Sequence, residues 1–378
     1  MNGSKDDNNA PAAVRGRQWR LERIEDSPPD VQAMARRFRR EAVANSFSGP
    51  MPIKLDYQDY TFRAIGNRLY YKKKHQTYVD FLLDPIKFAF GPKWRKAQVA
   101  LPEAERHIVM QWSGSWYRHC TKVRPKGVSP DAICATVPTG DAQALLTLAD
   151  DLYRLQLAGN LTSSLMRRLR TAAEFQGARY EIQVASIFLR SGFEIEWADE
   201  KDRHCEFYAL HRHSKQRVAV EAKSRRRPGV LGNKGIFSTS HPFGIEQLYE
   251  RARGQNPGDR PFSIFIDVNW PSTPELPRYQ KPWMQEVFRW AQNHVPTREA
   301  PEIVALSAFT NYSWHYQGPA MASSHETLVS FPTYAKYPIL DAATRDALVK
   351  SIVSYGIKIE ESPAPMIQDS MIDKIANL

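Results

Sequence analysis

The sequence predicts an α/β fold of the α+β kind, a central mixed sheet flanked by helices. Two observations carry this. Between residues 177 and 270 the pattern runs helix, hairpin, loop, helix, strand. Within it, residues 218–222 and 262–268 are runs of small, β-branched and aromatic residues without glycine or proline, as buried strands are. At 378 residues, 42% hydrophobic and 25% charged, the chain has ample length for a core and for two or three domains.

Residues 1–13 hold no hydrophobic segment and read as a disordered tail, not a signal peptide. Pro28-Pro29-Asp30 reads as a helix start, with Asp30 the cap of a helix over about 31–45 that carries Arg36, Arg37, Arg39 and Arg40 on a solvated basic face. Residues 52–116 mix aromatic and basic groups, among them Tyr70, Tyr71, Lys72, Lys73 and Lys74. Rings beside cations suit nucleic acid, and equally a β-rich core rimmed by lysines. Helices follow over about 142–157, 161–175 and 177–190. Residues 205–210 and 217–222 form an antiparallel hairpin around a polar loop. A helix over 244–254 and a strand over 262–268 come next. A proline-rich connector, 271–282, leads to a helix over about 283–294, a strand-like run at 303–310 and a last helix near 342–355. The tail after Glu360 reads as loosely structured, and no internal repeat is present.

The chemistry gathers around residues 218–223. Side chains alternate along a strand, so Ala219, Glu221 and Lys223 share one face. If Leu210 faces Arg217 across the hairpin, Glu206 faces Glu221. Opposed side chains lie about 5 Å apart at Cβ, and two like charges there repel unless a cation sits between them. In the preceding helix Arg179, Gln183, Ser186 and Arg190 make one narrow polar face, while Glu181 points among Val184, Ala185 and Phe188. A carboxylate there must be paired, protonated or metal-linked; a salt bridge to a core lysine or arginine is the plain alternative. After Lys223 comes a basic, glycine-rich loop with Arg225, Arg226, Arg227 and Lys234, which reads either as a phosphate contact or as a flexible connector.

Other chemistries find less support. His204, Cys205, His211 and His213 cluster but lack the paired spacing of a zinc site. Ser113-Gly114-Ser115 makes no nucleophile elbow, and no GK[ST] phosphate loop occurs. Lys and Arg number 52 against 41 Asp and Glu, a net charge of +11 that favours polyanionic partners such as nucleic acid. Three widely spaced cysteines without a CxxC point to a reducing, cytoplasmic setting. No apolar stretch approaches a bilayer span, so no membrane partner is expected.

Over about residues 168–270 the sequence resembles the PD-(D/E)xK nuclease superfamily, the restriction-endonuclease-like fold. Glu181 matches the helical glutamate, Glu206 the first acidic position and Glu221-Ala222-Lys223 the acid-x-Lys strand; the 244–254 helix and 262–268 strand match the elements after it. The family more often has Asp where Glu206 stands, and Asp202 is the alternative. Gln247 and Gln255 are similar to polar residues some members carry on the next helix. The resemblance implies a metal-dependent nuclease, most simply a DNA endonuclease of restriction or phage defence, alone, as a homodimer or within a multi-protein complex. It implies Mg²⁺, with Mn²⁺ as substitute, held by Glu206, Glu221 and the Ala222 carbonyl, with Glu181 serving a second ion or a metal-bound water. Lys223 would orient the attacking water or offset developing charge. The alternative is a catalytically inactive nuclease-fold protein that binds nucleic acid or a protein partner. On this reading 1–30 is a basic tail, 31–160 an α+β domain for nucleic-acid or partner recognition, 161–275 the nuclease core and 276–378 an α/β extension packing on the core.

Overall fold

The computed structural model describes residues 77–129, 132–198, 205–239, 243–339 and 341–357, strands at 22–23, 53–57, 60–65 and 68–73, and single positions 29, 33 and 359. Apart from position 33 the arginine-rich 31–45 helix, most of the 1–30 tail, Lys74, Asp202, His204 and the tail after Glu360 lie outside the described residues.

The fold is mixed α/β. Strands β1 (Glu22–Arg23), β2 (Ile53–Tyr57), β3 (Tyr60–Ile65) and β4 (Arg68–Lys73) form an antiparallel sheet in the order β1-β4-β3-β2. Helices α1 (Tyr78–Phe90), α2 (Pro92–Val99), α3 (Ile108–Val123), α4 (Gly140–Ala158), α5 (Ser163–Arg170) and α6 (Ala172–Arg190) follow. The expected β-rich stretch over 52–116 therefore ends at Lys73. Thr77 stops it, accepting from the Asp80 amide while Asp80 accepts from the Thr77 amide, a capping box that starts α1.

The second sheet has six strands, β10-β9-β8-β7-β6-β5. They are β5 (Phe193–Trp197), β6 (Phe207–His211), β7 (Arg217–Ser224), β8 (Phe262–Asp267), β9 (Leu306–Asn311) and β10 (Glu326–Ser330). β5, β6 and β7 run antiparallel, β7, β8 and β9 parallel, and β10 antiparallel to β9. Helix α7 (Ile245–Arg253) fills the β7–β8 crossover, and α8 (Pro282–Gln292) and α9 (Ala342–Val353) complete the chain. Strands β8 and β9 are buried at every position, as parallel strands covered on both faces must be. Val218, Val220, Ala222 and Phe265 face α6 in one core, and Ala219, Ile264 and Ile266 face α7 in another. The first core is continuous from Tyr70 and Phe81 through Trp112 and Leu145 to Phe188 and Val220.

The helix break expected near residue 176 falls at Thr171. Its backbone is extended (φ −98°, ψ 112°), and the helix restarts at Ala172 and runs through Gly177. A glycine inside a helix costs about 1 kcal/mol against alanine and still does not end it when the helix is buried. The polar face of α6 also turns inward: Arg179, Gln183 and Ser186 are buried, and Arg190 reaches Asp150 and Asp151 on α4.

Candidate active site at a strand fork

Over Phe207–Leu210 the hairpin register is the one the sequence predicts. Leu210 pairs with Arg217 and Phe207 with Val220, and the Glu206 amide donates to the Val220 carbonyl at 3.0 Å. The expected Glu206–Glu221 pairing is not formed: Glu206 and Phe207 both lie against Val220, so Glu206 sits at the end of the ladder beside Glu221 and not in register with it. There the β6–β7 ladder stops, while β7 continues beside β8 as far as Ser224 opposite Asp267. The sheet forks. Val220 turns its carbonyl toward β6, whereas Ala219 and Arg225 direct their amides toward Pro261 and Asp267 on the β8 side. By that alternation Ala222 aims its carbonyl past the end of β6, into the fork.

Three charged side chains meet there. Glu221 is 1% exposed and ion-paired with Lys223. The Lys223 ammonium also lies 3.7 Å from a Glu206 oxygen. Burial pushes the Glu206 carboxyl well above the usual range, and the charges of Glu181 and Glu221 push it further. Burial raises Glu221 too, against the pull of Lys223. Burial by itself would lower Lys223, but Glu221 and Glu206 outweigh it and hold the ammonium charged. Buried Glu221 and half-buried Glu206 resist ionising together, and the Lys223 ammonium is the cation that already stands beside both.

Glu181 takes a different partner. It is buried on α6, and Arg168 from α5 grips both its oxygens at 2.6 and 2.5 Å. The salt bridge that was the plain alternative for Glu181 is present, and the partner is an arginine the sequence did not single out. Gly177 lies beside this pair: a Cβ there would sit 3.8 Å from the Arg168 guanidinium and 3.9 Å from the Glu181 carboxylate. Among the described residues no three His, Cys, Asp or Glu side chains converge as a ready metal-binding group. Glu206, Glu221 and the Ala222 carbonyl are hard oxygen donors of the kind Mg²⁺ and Mn²⁺ take, and Lys223 would have to leave Glu221 for an ion to bind there. Glu181 does not fit as a ligand while Arg168 occupies both of its oxygens.

The basic residues divide. Arg226 and Lys234 are exposed and Arg225 is half-buried. Arg227 is instead buried: its guanidinium donates to the Val268 and Asn269 carbonyls and stacks over Trp270 at 4.4 Å. It holds the loop and is withdrawn from any phosphate. Lys72 is likewise buried, in an ion pair with Asp84 at 3.3 Å; burial lowers its pKa, though Asp84 opposes this. Lys73 is exposed.

The loop after β7 is folded, not a slack connector. Gly229 (φ +72°) and Gly235 (φ +116°) cross so closely that a Cβ on Gly229 would lie 2.8 Å from the Gly235 carbonyl. Gln176 clamps the loop to the fork. Its amide nitrogen donates to the Ser224 hydroxyl at 3.0 Å and to the Arg225 carbonyl, and its oxygen accepts from Asn233 at 2.8 Å. Beneath it, fully buried Asp267 accepts from Ser224 at 2.7 Å and lies 3.7 Å from Arg179. Sequence reasoning missed Arg168, Gln176 and Asp267. The sequence held no signal for Gln176, because the expected break between helices fell on that residue and the observed one falls at Thr171.

Comparison with protein-family models, with curated proteins and with solved structures found no match. The remaining candidates supply no further group to the fork, although Cys205 adjoins Glu206 and feels its charge. Gln247 is exposed on α7, and Gln255 follows the helix end. His211 bonds Ser214 at 2.9 Å, and His213 is exposed in the hairpin turn. The half-buried Cys205 thiol is pushed up to about 11 by burial, which keeps it protonated. Ser113 and Ser115 lie within α3. Among the described residues no helix is long and apolar enough to cross a membrane.

Proposed function

We infer that this chain is a divalent-metal-dependent nuclease of the PD-(D/E)xK type, cutting DNA in preference to RNA and acting internally on the strand. The observation that carries this reading is the approach of the Glu206 and Glu221 carboxylates to one ammonium, that of Lys223, where the β6–β7 ladder ends. A bound metal ion would polarise the scissile phosphate and lower the pKa of its water. Glu206, Glu221 and the Ala222 carbonyl would hold that ion. Lys223 keeps its charge and places it where negative charge develops on the phosphate. Arg225, Arg226, Lys73 and Lys234 would contact the backbone without reading bases. Restriction or phage defence is the setting that the resemblance suggests.

The test is incubation of supercoiled and linear DNA, and of RNA, with Mg²⁺ or Mn²⁺, with Glu221→Gln and Lys223→Ala as controls. Metal-dependent nicking by the native chain, lost in both variants, is expected. A second reading rests on the two internal ion pairs, Lys223 with Glu221 and Arg168 with Glu181, which already compensate much of the acidic charge. It is a nuclease-fold protein that binds nucleic acid or a protein partner without cutting. Salt-sensitive DNA binding with no cleavage of any substrate would favour it.

A further inference from the structure

The Arg168–Glu181 pair is asymmetric. Its carboxylate is buried, with 8% of the side chain exposed, whereas the arginine side chain keeps 29% exposure. The other arginines closing α5 are engaged elsewhere. Arg170 donates through two nitrogens to the Ala89 carbonyl, and Arg167 pairs with Glu174 at 3.0 Å. Arg168 thus stands where solvent meets the carboxylate cluster, and its charge is felt by Glu206 as well as Glu181. A guanidinium grips a carboxylate and a phosphodiester with the same forked geometry, so one anion can replace the other without remodelling the cation.

The geometry points to Arg168 as an exchangeable clamp. In the free chain it occupies Glu181; when nucleic acid arrives it moves to a backbone phosphate and releases Glu181 toward Glu206 and Glu221, both of which already feel its charge. Substrate binding and completion of the metal site become one event. No bond is made or broken in the exchange. The inference rests on the nuclease reading and adds a positioning residue to it, together with a reason why Glu181 is kept from the metal until substrate is bound.

The test is calorimetric titration of Mn²⁺ into the full chain, with and without a short duplex carrying phosphorothioate linkages. In the native chain the duplex is expected to tighten Mn²⁺ binding by about tenfold, within the usual range of coupling between sites. Arg168→Met should bind Mn²⁺ tightly without duplex and gain nothing from it. Glu181→Gln, which frees Arg168, should bind the duplex several-fold more tightly and also lose the coupling. A purely structural salt bridge would lower the melting temperature in both variants and leave the coupling unchanged, which would overturn the clamp. If Arg168→Met does not fold, Arg168→Lys, which keeps the charge and loses the fork, should show reduced coupling; undiminished coupling there would equally overturn it. Loss of Mn²⁺ binding in Glu221→Gln with native-like coupling in Arg168→Met would remove the clamp and leave the nuclease reading standing. Mn²⁺ binding that is absent, or that survives Glu221→Gln, would remove both.

Discussion

Lys223 decides most at the scale of single residues. It holds its proton although it is half-buried, because two carboxylates face it. Truncation to alanine should lower cleavage by about 10²- to 10³-fold, the usual loss for one preorganised electrostatic contact. DNA affinity, read by fluorescence anisotropy, should stay within a few-fold. His107 supplies a pH prediction independent of the site. It caps α3, accepting from the Val109 amide, and is packed among Phe90, Trp94 and Phe175. Burial lowers its pKa from 6.5 to about 4. A depressed histidine favours the folded state while neutral, so its contribution is complete above pH 6.5 and is lost as pH falls toward 4. At about 1.4 kcal/mol per pKa unit the loss approaches about 3 kcal/mol. His107→Asn keeps a capping side chain without the titration. Urea midpoints followed from pH 7 to pH 4 should fall less steeply in that variant than in the native chain.

Among the elements, the β7 fork and the loop after it form one device. Gly229→Ala would place a methyl group 2.8 Å from the Gly235 carbonyl at a positive φ, and should destabilise the loop by about 1–3 kcal/mol. Strand β10 depends on one buried carboxylate. Glu326 accepts from Lys281, Trp283, Asn311 and Thr273, tying the edge strand to α8 and β9. Glu326→Ala should cost about 3 kcal/mol in chemical denaturation, since it strands a buried lysine. Legibility also differed element by element. The β6–β7 register could be read because a polar turn fixed its closure and alternation fixed its faces. Strands β5 and β10 went unread: Phe193–Trp197 follows its helix after two residues, and Glu326–Ser330 hides among polar residues. The shared face of Glu221 and Lys223 was legible from strand period, and the nearness of Glu206 from hairpin spacing, but not the shift that puts Glu206 against Val220. Arg168 was not, because its meeting with Glu181 depends on how α5 turns into α6 at Thr171. Arg227 and Lys72 were misplaced at the surface because charge alone does not reveal a buried carbonyl pair or an aspartate partner.

For the whole molecule, one core joins the antiparallel sheet, the helices and the six-stranded sheet, so the fork rests on a scaffold that reaches from Tyr70 to Tyr355. The net charge of +11 favours a polyanion at long range, and salt should weaken binding accordingly. Lys234→Ala should weaken duplex binding uniformly across sequences and reduce the slope of log affinity against log salt by about one. On the nuclease reading a divalent cation displaces Lys223 from Glu221 and is held by Glu206, Glu221 and the Ala222 carbonyl. The most direct measurement is anomalous diffraction from crystals soaked in Mn²⁺. A manganese peak within reach of those three groups, with Lys223 drawn away from Glu221, is the predicted result; a manganese-soaked crystal with no peak there and Lys223 still paired to Glu221 would contradict it.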